Sequence, residues 1–279
     1  MPAFTAPDGT RLVYHVDGEG PPLVCLPGGP MRASSYLGDL GGLSAHRRLL
    51  RFDLRGTGDS QTPGDTTSYR CDRLVEDVEA LRVHLGLERL DLLGHSAGAN
   101  LAVRYAARHP GRVGRLLLVT PSVLAVGIDI APRDRLAAAR KRSGEPWFAV
   151  AYAALEEITQ GRATPGAWES VAPFWYRSWD RAARALQAAD AEEKNHEAVP
   201  VFAADGAFEP QGTRAALAEL PAPVLLVAGE VDVAAPPRAV GEFAGLFPRS
   251  EWVVQPRGSH YPWVDDPEHF VGVVTKFLG

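Results

Sequence analysis

The stretch from Leu90 to Ala102 leaves the chain few ways to fold. Leu90-Asp91-Leu92-Leu93 reads as a short apolar strand, Gly94-His95-Ser96-Ala97-Gly98 as a turn of the form G-x-S-x-G, and Ala99-Asn100-Leu101-Ala102 as the start of a helix. A serine on a sharp strand-to-helix turn has its hydroxyl pushed out of the fold, where a substrate carbonyl can reach it. Gly94 and Gly98 flank the bend, where side chains would collide with the neighbouring strand and helix. The helix that follows directs its N-terminal N–H groups and positive dipole end at the place where an oxyanion would form. A plain glycine turn would satisfy the same five residues, but the strand before it and the helix after it favour a nucleophile.

The rest of the chain supplies a setting for such a turn. Asp8-Gly9 joins two short strands, Phe4-Thr5 and Thr10 to Val16, as a hairpin. Pro22 to Leu26, Arg48 to Phe52, Arg115 to Val119, Pro223 to Ala228 and Glu251 to Gln255 read as further strands, several of them continuous apolar runs. Helical spacing of Leu74, Val78, Leu81 and Leu85 ends at Gly86, and Phe270, Val274 and Phe277 share one face of a last helix over Pro267 to Leu278. Between residues 125 and 212 the alternation stops, and the segment becomes rich in Ala, Arg and Glu with four tryptophans. The expected architecture is α/β: a mostly parallel twisted sheet flanked by helices, with a core of residues 1–124 and 213–279 and a helical cap inserted over 125–212.

A serine nucleophile needs a base to take its proton and an acid to orient that base. In a parallel sheet such groups sit on loops at the carboxyl ends of strands. Two late strands run into Gly229-Glu230-Val231-Asp232 and Gly258-Ser259-His260, in the chain order serine, acid, histidine that the turn motif predicts. Ser96, Asp232 and His260 are therefore the expected catalytic set, with Glu230 as a rival acid. His95 is expected to support the turn, and His269 to lie within the last helix. Two backbone N–H groups should bind the oxyanion, one from Ala97 and one from the loop after the Leu23–Leu26 strand, where Gly29 is the choice.

Composition narrows the remaining classes. A net charge of −5 over 279 residues gives no reason to expect a nucleic-acid partner or an anionic membrane surface. No apolar run reaches the roughly 20 residues of a membrane span, and Met1-Pro2-Ala3-Phe4 does not open a secretion signal, so a cytoplasmic location is expected. Two cysteines make no disulfide framework. Without an H-E-x-x-H or a Cys/His cluster, no metal and no cofactor is expected. Asp53 to Ser60 lacks the Lys-Ser or Lys-Thr of a phosphate loop and reads as a structural turn in which Asp53 and Arg55 would pair.

With these residues in view, the chain resembles the α/β-hydrolase fold superfamily over nearly its whole length, and within it the proline iminopeptidase-like serine hydrolases. Pro27-Gly28-Gly29-Pro30 is similar to that group's His-Gly-Gly-Pro-Gly oxyanion loop, and Asp53 to Ser60 to its Asp-x-Arg-Gly-x-Gly-x-Ser turn. Pro27 replaces the histidine and Met31 the last glycine, and the elbow is Gly94-His95-Ser96-Ala97-Gly98 instead of the tryptophan-containing form common in those peptidases. The resemblance implies acids in the cap that bind a substrate's free α-amino group, and the Glu192-Glu193-Lys194-Asn195-His196 stretch makes Glu192 and Glu193 the candidates. Lys194 stands where the acid before Asn195 would be; turned into the site, it would disfavour a cationic amine.

The reading that follows is a serine hydrolase acting on a small-molecule or short-peptide acyl substrate through an acyl-enzyme. It resembles proline iminopeptidases, with a carboxylesterase or lactonase of the same fold as the alternative. A non-catalytic binding protein is the competing class, and candidates for all three triad roles weigh against it. Trp168, Phe174, Trp175, Tyr176 and Trp179 could line an acyl pocket or form the core of the cap.

Overall fold

Among the described residues, eight strands form one sheet in the order β1-β2-β4-β3-β5-β6-β7-β8. They are β1 (Ala3–Thr5), β2 (Arg11–Asp17), β3 (Pro22–Leu26), β4 (Arg48–Asp53), β5 (Leu90–His95), β6 (Val113–Val119), β7 (Val224–Gly229) and β8 (Ser250–Gln255). The computed structural model describes residues 1–164 and 166–279. β2 pairs antiparallel with both β1 and β4, and every other neighbouring pair is parallel. The inner strands β3, β5, β6 and β7 are buried on both faces, which is why they are apolar runs rather than alternating ones.

Helices cover both faces. α1 (Cys71–His84), α2 (Gly98–Arg108) and α9 (Pro237–Ala244) lay Leu74, Val78, Leu101, Val240 and Phe243 on one side. On the other, α11 (Pro267–Leu278) buries Phe270, Val274 and Leu278. Its Phe277 is only partly covered. The short α10 (Pro262–Asp265) precedes α11.

Among the described residues, six α-helices lie between β6 and β7: α3 (Pro132–Arg140), α4 (Phe148–Thr159), α5 (Ala167–Ser170), α6 (Arg181–Glu193), α7 (Val199–Phe202) and α8 (Pro210–Ala218). α3, α4 and α5 bury a cluster of their own around Ala139, Leu155 and Phe174. Ala198, Phe202, Ala207 and Leu217 instead join the main core, and α8 runs across the 212/213 boundary expected from the sequence. No helix among the described residues is long and apolar enough to cross a membrane.

The expected Asp53–Arg55 pair does not form. Arg55 is buried against the fully buried Asp77 of α1, at 2.7 and 2.5 Å, and reaches Asp8 at 2.6 Å. Asp53 points to the opposite side, where Oδ1 accepts from the Ser34 N–H and hydroxyl and Oδ2 from the Asp59 N–H, with His15 Nε2 at 2.8 Å. Four partners occupy its two oxygens, so Arg55 finds its counter-charge on α1. Removing one member of such a buried pair strands the other charge, at a cost of about 3–5 kcal/mol.

Candidate active site

Parallel register brings the carboxyl ends of the strands to one edge. Leu26 of β3 lies opposite Gly94 of β5, His95 opposite Val119 of β6, Val119 opposite Val227 of β7, and Gly229 opposite Gln255 of β8. The loops leaving β3, β5, β7 and β8 therefore converge, as crevice-forming loops do in open α/β sheets.

Ser96 sits at the tip of the turn after β5 with φ of 50°, a left-handed conformation that a non-glycine residue holds only under constraint. Three backbone bonds supply the constraint: the Ser96 N–H donates to Val119 O, and Ser96 O accepts from the N–H groups of Ala99 and Ser122, each at 3.0 Å. The glycine expectations hold. A Cβ on Gly98 would lie 2.3 Å from Leu26 O of β3, and one on Gly94 would lie 2.8 Å from Ala99 Cα of α2.

His260 Nε2 lies 3.0 Å from Ser96 Oγ, and His260 Nδ1 lies 2.8 Å from Asp232 Oδ2. Asp232 is 0% exposed, and its Oδ1 accepts from the Ala234 N–H at 2.7 Å. With Nδ1–H donating to this carboxylate, Nε2 is the nitrogen left to accept the serine proton. The rival acid Glu230 faces away. Its side chain is 37% exposed and bonded to the Arg257 N–H and the Lys141 ammonium, which lower its carboxyl below the usual range.

Gly29 lines the cavity together with Ser96, Ala97 follows the serine in the turn, and neither N–H donates to a protein acceptor among the described residues. Gly29 has φ of 116°, and a Cβ there would lie 2.8 Å from the Arg32 nitrogen, so the loop admits no side chain at this position. The neighbouring Gly28 N–H is already used. It donates to Tyr36 Oη at 2.7 Å, which in turn contacts His95 Nδ1 at 2.7 Å.

Burial pushes the Tyr36 phenol up, so it remains a donor. Burial, with His260 nearby, holds His95 well below the usual histidine range, so its imidazole is neutral at pH 7. Tyr36 thus donates to Nδ1, and His95 Nε2–H donates to the His260 carbonyl at 3.0 Å, which also accepts from Thr120 Oγ1 at 2.9 Å. His95 supports the turn, as expected, and also ties the loop after β3 to the histidine loop after β8. Tyr36 and Thr120 carry no motif that would mark them in the sequence.

The segment between β6 and β7 braces the histidine loop. The His260 N–H donates to Trp175 O, and Ser259 Oγ to Phe174 O. Asp265 accepts from the Arg177 N–H at 2.8 Å and the Ser259 N–H at 2.5 Å. Burial nevertheless pushes the Asp265 carboxyl up to about 6. A raised carboxyl favours the fold while protonated, an effect complete below the unfolded value near 4 and lost as pH rises through 6. Urea unfolding of the wild type against Asp265→Asn is therefore expected to show the wild type losing up to about 3 kcal/mol relative to the variant between pH 4 and 7. A flat or rising difference would mean that the two backbone donors outweigh burial.

A cavity of about 390 Å³ opens over Ser96 and His260. Trp168 and Trp175 line it, whereas Phe174 and Tyr176 are buried and Trp179 packs on Tyr176. Its polar wall comes from Arg32, Gln187, Asp190 and Lys194. Neither acid expected from the sequence belongs to that wall. Glu192 is exposed outside the cavity, and Glu193 accepts from Arg32 Nε and Ser35 Oγ at 2.7 Å each. α6 carries Gln187 and Asp190 three residues apart, and Lys194 follows at its C-cap in an extended conformation, so the cavity face of the helix falls at Asp190, before the expected acids. That spacing is the signal by which Asp190 could have been found.

A sequence model of the alpha/beta hydrolase fold matches residues 21–267. The chain is similar to a proline iminopeptidase of Heyndrickxia coagulans, 25% identical over 95% of this chain and 93% of the relative. Among solved structures, a proline iminopeptidase of Mycobacterium smegmatis superposes with a TM-score of 0.72 at 25% identity, over 99% of this chain and 97% of the other. An enol-lactonase of Burkholderia xenovorans does so with a TM-score of 0.71 at 26% identity, over 99% of each chain. The chain belongs to the alpha/beta hydrolase fold family.

Proposed function

We propose that this protein is a serine hydrolase that cleaves small carboxylic esters or lactones through an acyl-enzyme. The observation that carries the reading is the continuous relay from Ser96 Oγ through His260 to Asp232, set beside the two unengaged N–H groups of Gly29 and Ala97. His260 Nε2 takes the serine proton as Oγ attacks the carbonyl carbon. Asp232 holds the imidazolium, and the two N–H groups receive the developing oxyanion, each such donor contributing about 3–4 kcal/mol in the transition state. The imidazolium then protonates the leaving oxygen, and His260 activates a water that releases the acid by the same steps in reverse.

The similarity to proline iminopeptidases and the presence of Asp190 in the cavity favour a second reading, cleavage of an N-terminal residue. That chemistry needs an acid free to hold the substrate's ammonium. Asp190 Oδ1 already accepts from Arg32 and Oδ2 from Lys194, which favours esters and lactones instead.

A fluorophosphonate probe is expected to label the wild type and not Ser96→Ala, and short-chain aryl esters to be turned over faster than prolyl arylamides. An unlabelled wild type would overturn the proposal. Tyr36→Phe removes the acceptor for Gly28 and the donor to His95 together. It is expected to cost about 1–3 kcal/mol of stability and, by loosening the His260 loop, about 10–100-fold in kcat for the best ester. Unchanged values for both would show that Gly28 and His95 are held without the phenol.

A further inference from the structure

Resting on the serine hydrolase reading, we infer that the cavity selects acyl substrates carrying a carboxylate remote from the scissile bond, such as dicarboxylate hemiesters or carboxylated lactones. The recognising groups are Lys194 and Gln187. Three charged side chains line the cavity: Arg32, Lys194 and Asp190. Arg32 is 1% exposed and places Nε on Glu193, Nη1 on Asp190 and Nη2 on the Leu186 carbonyl, three of its five N–H donors, with its guanidinium 4.3 Å over the Tyr36 ring.

Lys194 is different. It gives one proton to Asp190 Oδ2 at 2.5 Å, and an ammonium has three. Its side chain is 23% exposed, so the remaining donors are reachable from the cavity. Gln187 accepts from Tyr176 at Oε1, which leaves its NH2 group as a second donor lining the same cavity.

Charge sets the sign of the preference. Asp190 is shared between two cations, and Glu193 sits on the far side of Arg32, bonded also to Ser35. The surface offered to a ligand is therefore one excess positive charge with spare donors. An incoming ammonium would meet two cations and an acid with both oxygens occupied. A carboxylate would form a charge-assisted bond with Lys194 at little further desolvation of the lysine, whose side chain is already largely withdrawn from water.

The test compares monomethyl glutarate and monomethyl adipate with their half-amide counterparts, which have the same shape and no charge, by proton release at constant pH. Wild type is expected to prefer the hemiester at least tenfold in kcat/KM, through KM, and the preference should shrink with added salt. Lys194→Gln should reduce the ratio about tenfold and Lys194→Arg should restore it. Asp190→Asn should raise it, because one competing negative charge is gone; a merely structural role for the pair would lower activity on both substrates alike. A protein labelled by the phosphonate whose hemiester-to-half-amide ratio stays near one in all four forms overturns this inference alone. A protein that resists labelling overturns the hydrolase reading and this inference with it.

Discussion

Ser96→Ala is expected to lower kcat on the best ester by on the order of 10⁶-fold, the scale seen when a triad nucleophile is removed. Stability should respond to the backbone instead of the hydroxyl. At φ of 50° any residue with a Cβ pays about 1–2 kcal/mol, and alanine pays as serine does. Glycine escapes that strain and gives back about 0.5–1 kcal/mol in lost chain entropy. Ser96→Gly should therefore be as inactive as Ser96→Ala but more stable than it by about 0.5–1 kcal/mol, a rise of a few degrees at most in Tm. Both measurements matter. Activity within tenfold of wild type in Ser96→Ala would place the nucleophile elsewhere, and equal stability of the two variants would mean that the three bonds from Val119, Ala99 and Ser122 hold the turn without strain.

The features legible in the sequence were the local ones. β3, β5, β6 and β7 are buried runs five to seven residues long, and burial on both faces is written in consecutive side chains. Glycines that touch a neighbouring backbone are also local marks, which is why Gly94, Gly98 and Gly29 could be singled out. The positions of Asp232 and His260 follow from one further rule, that loops at the carboxyl ends of parallel strands converge. What remained hidden depends on distant pairings. Arg32 meets Asp190 and Glu193 across 158 and 161 residues, and Arg55 meets Asp77 rather than the nearby Asp53 because Asp53 is saturated by Ser34, Asp59 and His15. Glu192 and Glu193 stand out through the similarity of a short stretch, whereas the acid that lines the cavity is Asp190, because the cavity face of α6 is set by its packing against Arg32.

Asp232→Asn is expected to cost about 10⁴-fold in kcat while Glu230→Gln changes it less than about threefold. The difference comes from two hydrogen bonds on opposite sides of one carboxylate. Asp232 Oδ1 accepts from the Ala234 N–H, and Oδ2 faces His260 Nδ1. An asparagine must keep its oxygen toward Ala234, because its NH2 group has nothing to offer another N–H donor. That orientation presents NH2 to His260 Nδ1, which must then become an acceptor, and the ring proton moves to Nε2. An imidazole protonated at Nε2 has no lone pair for the Ser96 proton, 3.0 Å away. Glu230 touches no part of this relay: its partners are Lys141 and the Arg257 N–H, at a partly exposed position where a neutral glutamine keeps one acceptor for the backbone. Circular dichroism of both variants should match the wild type, since neither substitution changes side-chain volume. Comparable losses in the two would transfer the acid's role to Glu230 and require a histidine loop that rotates before reaction. A loss confined to Asp232→Asn, partly recovered in Asp232→Glu where a carboxylate is again available to Nδ1, would tie the defect to the proton on His260 and leave packing out of it.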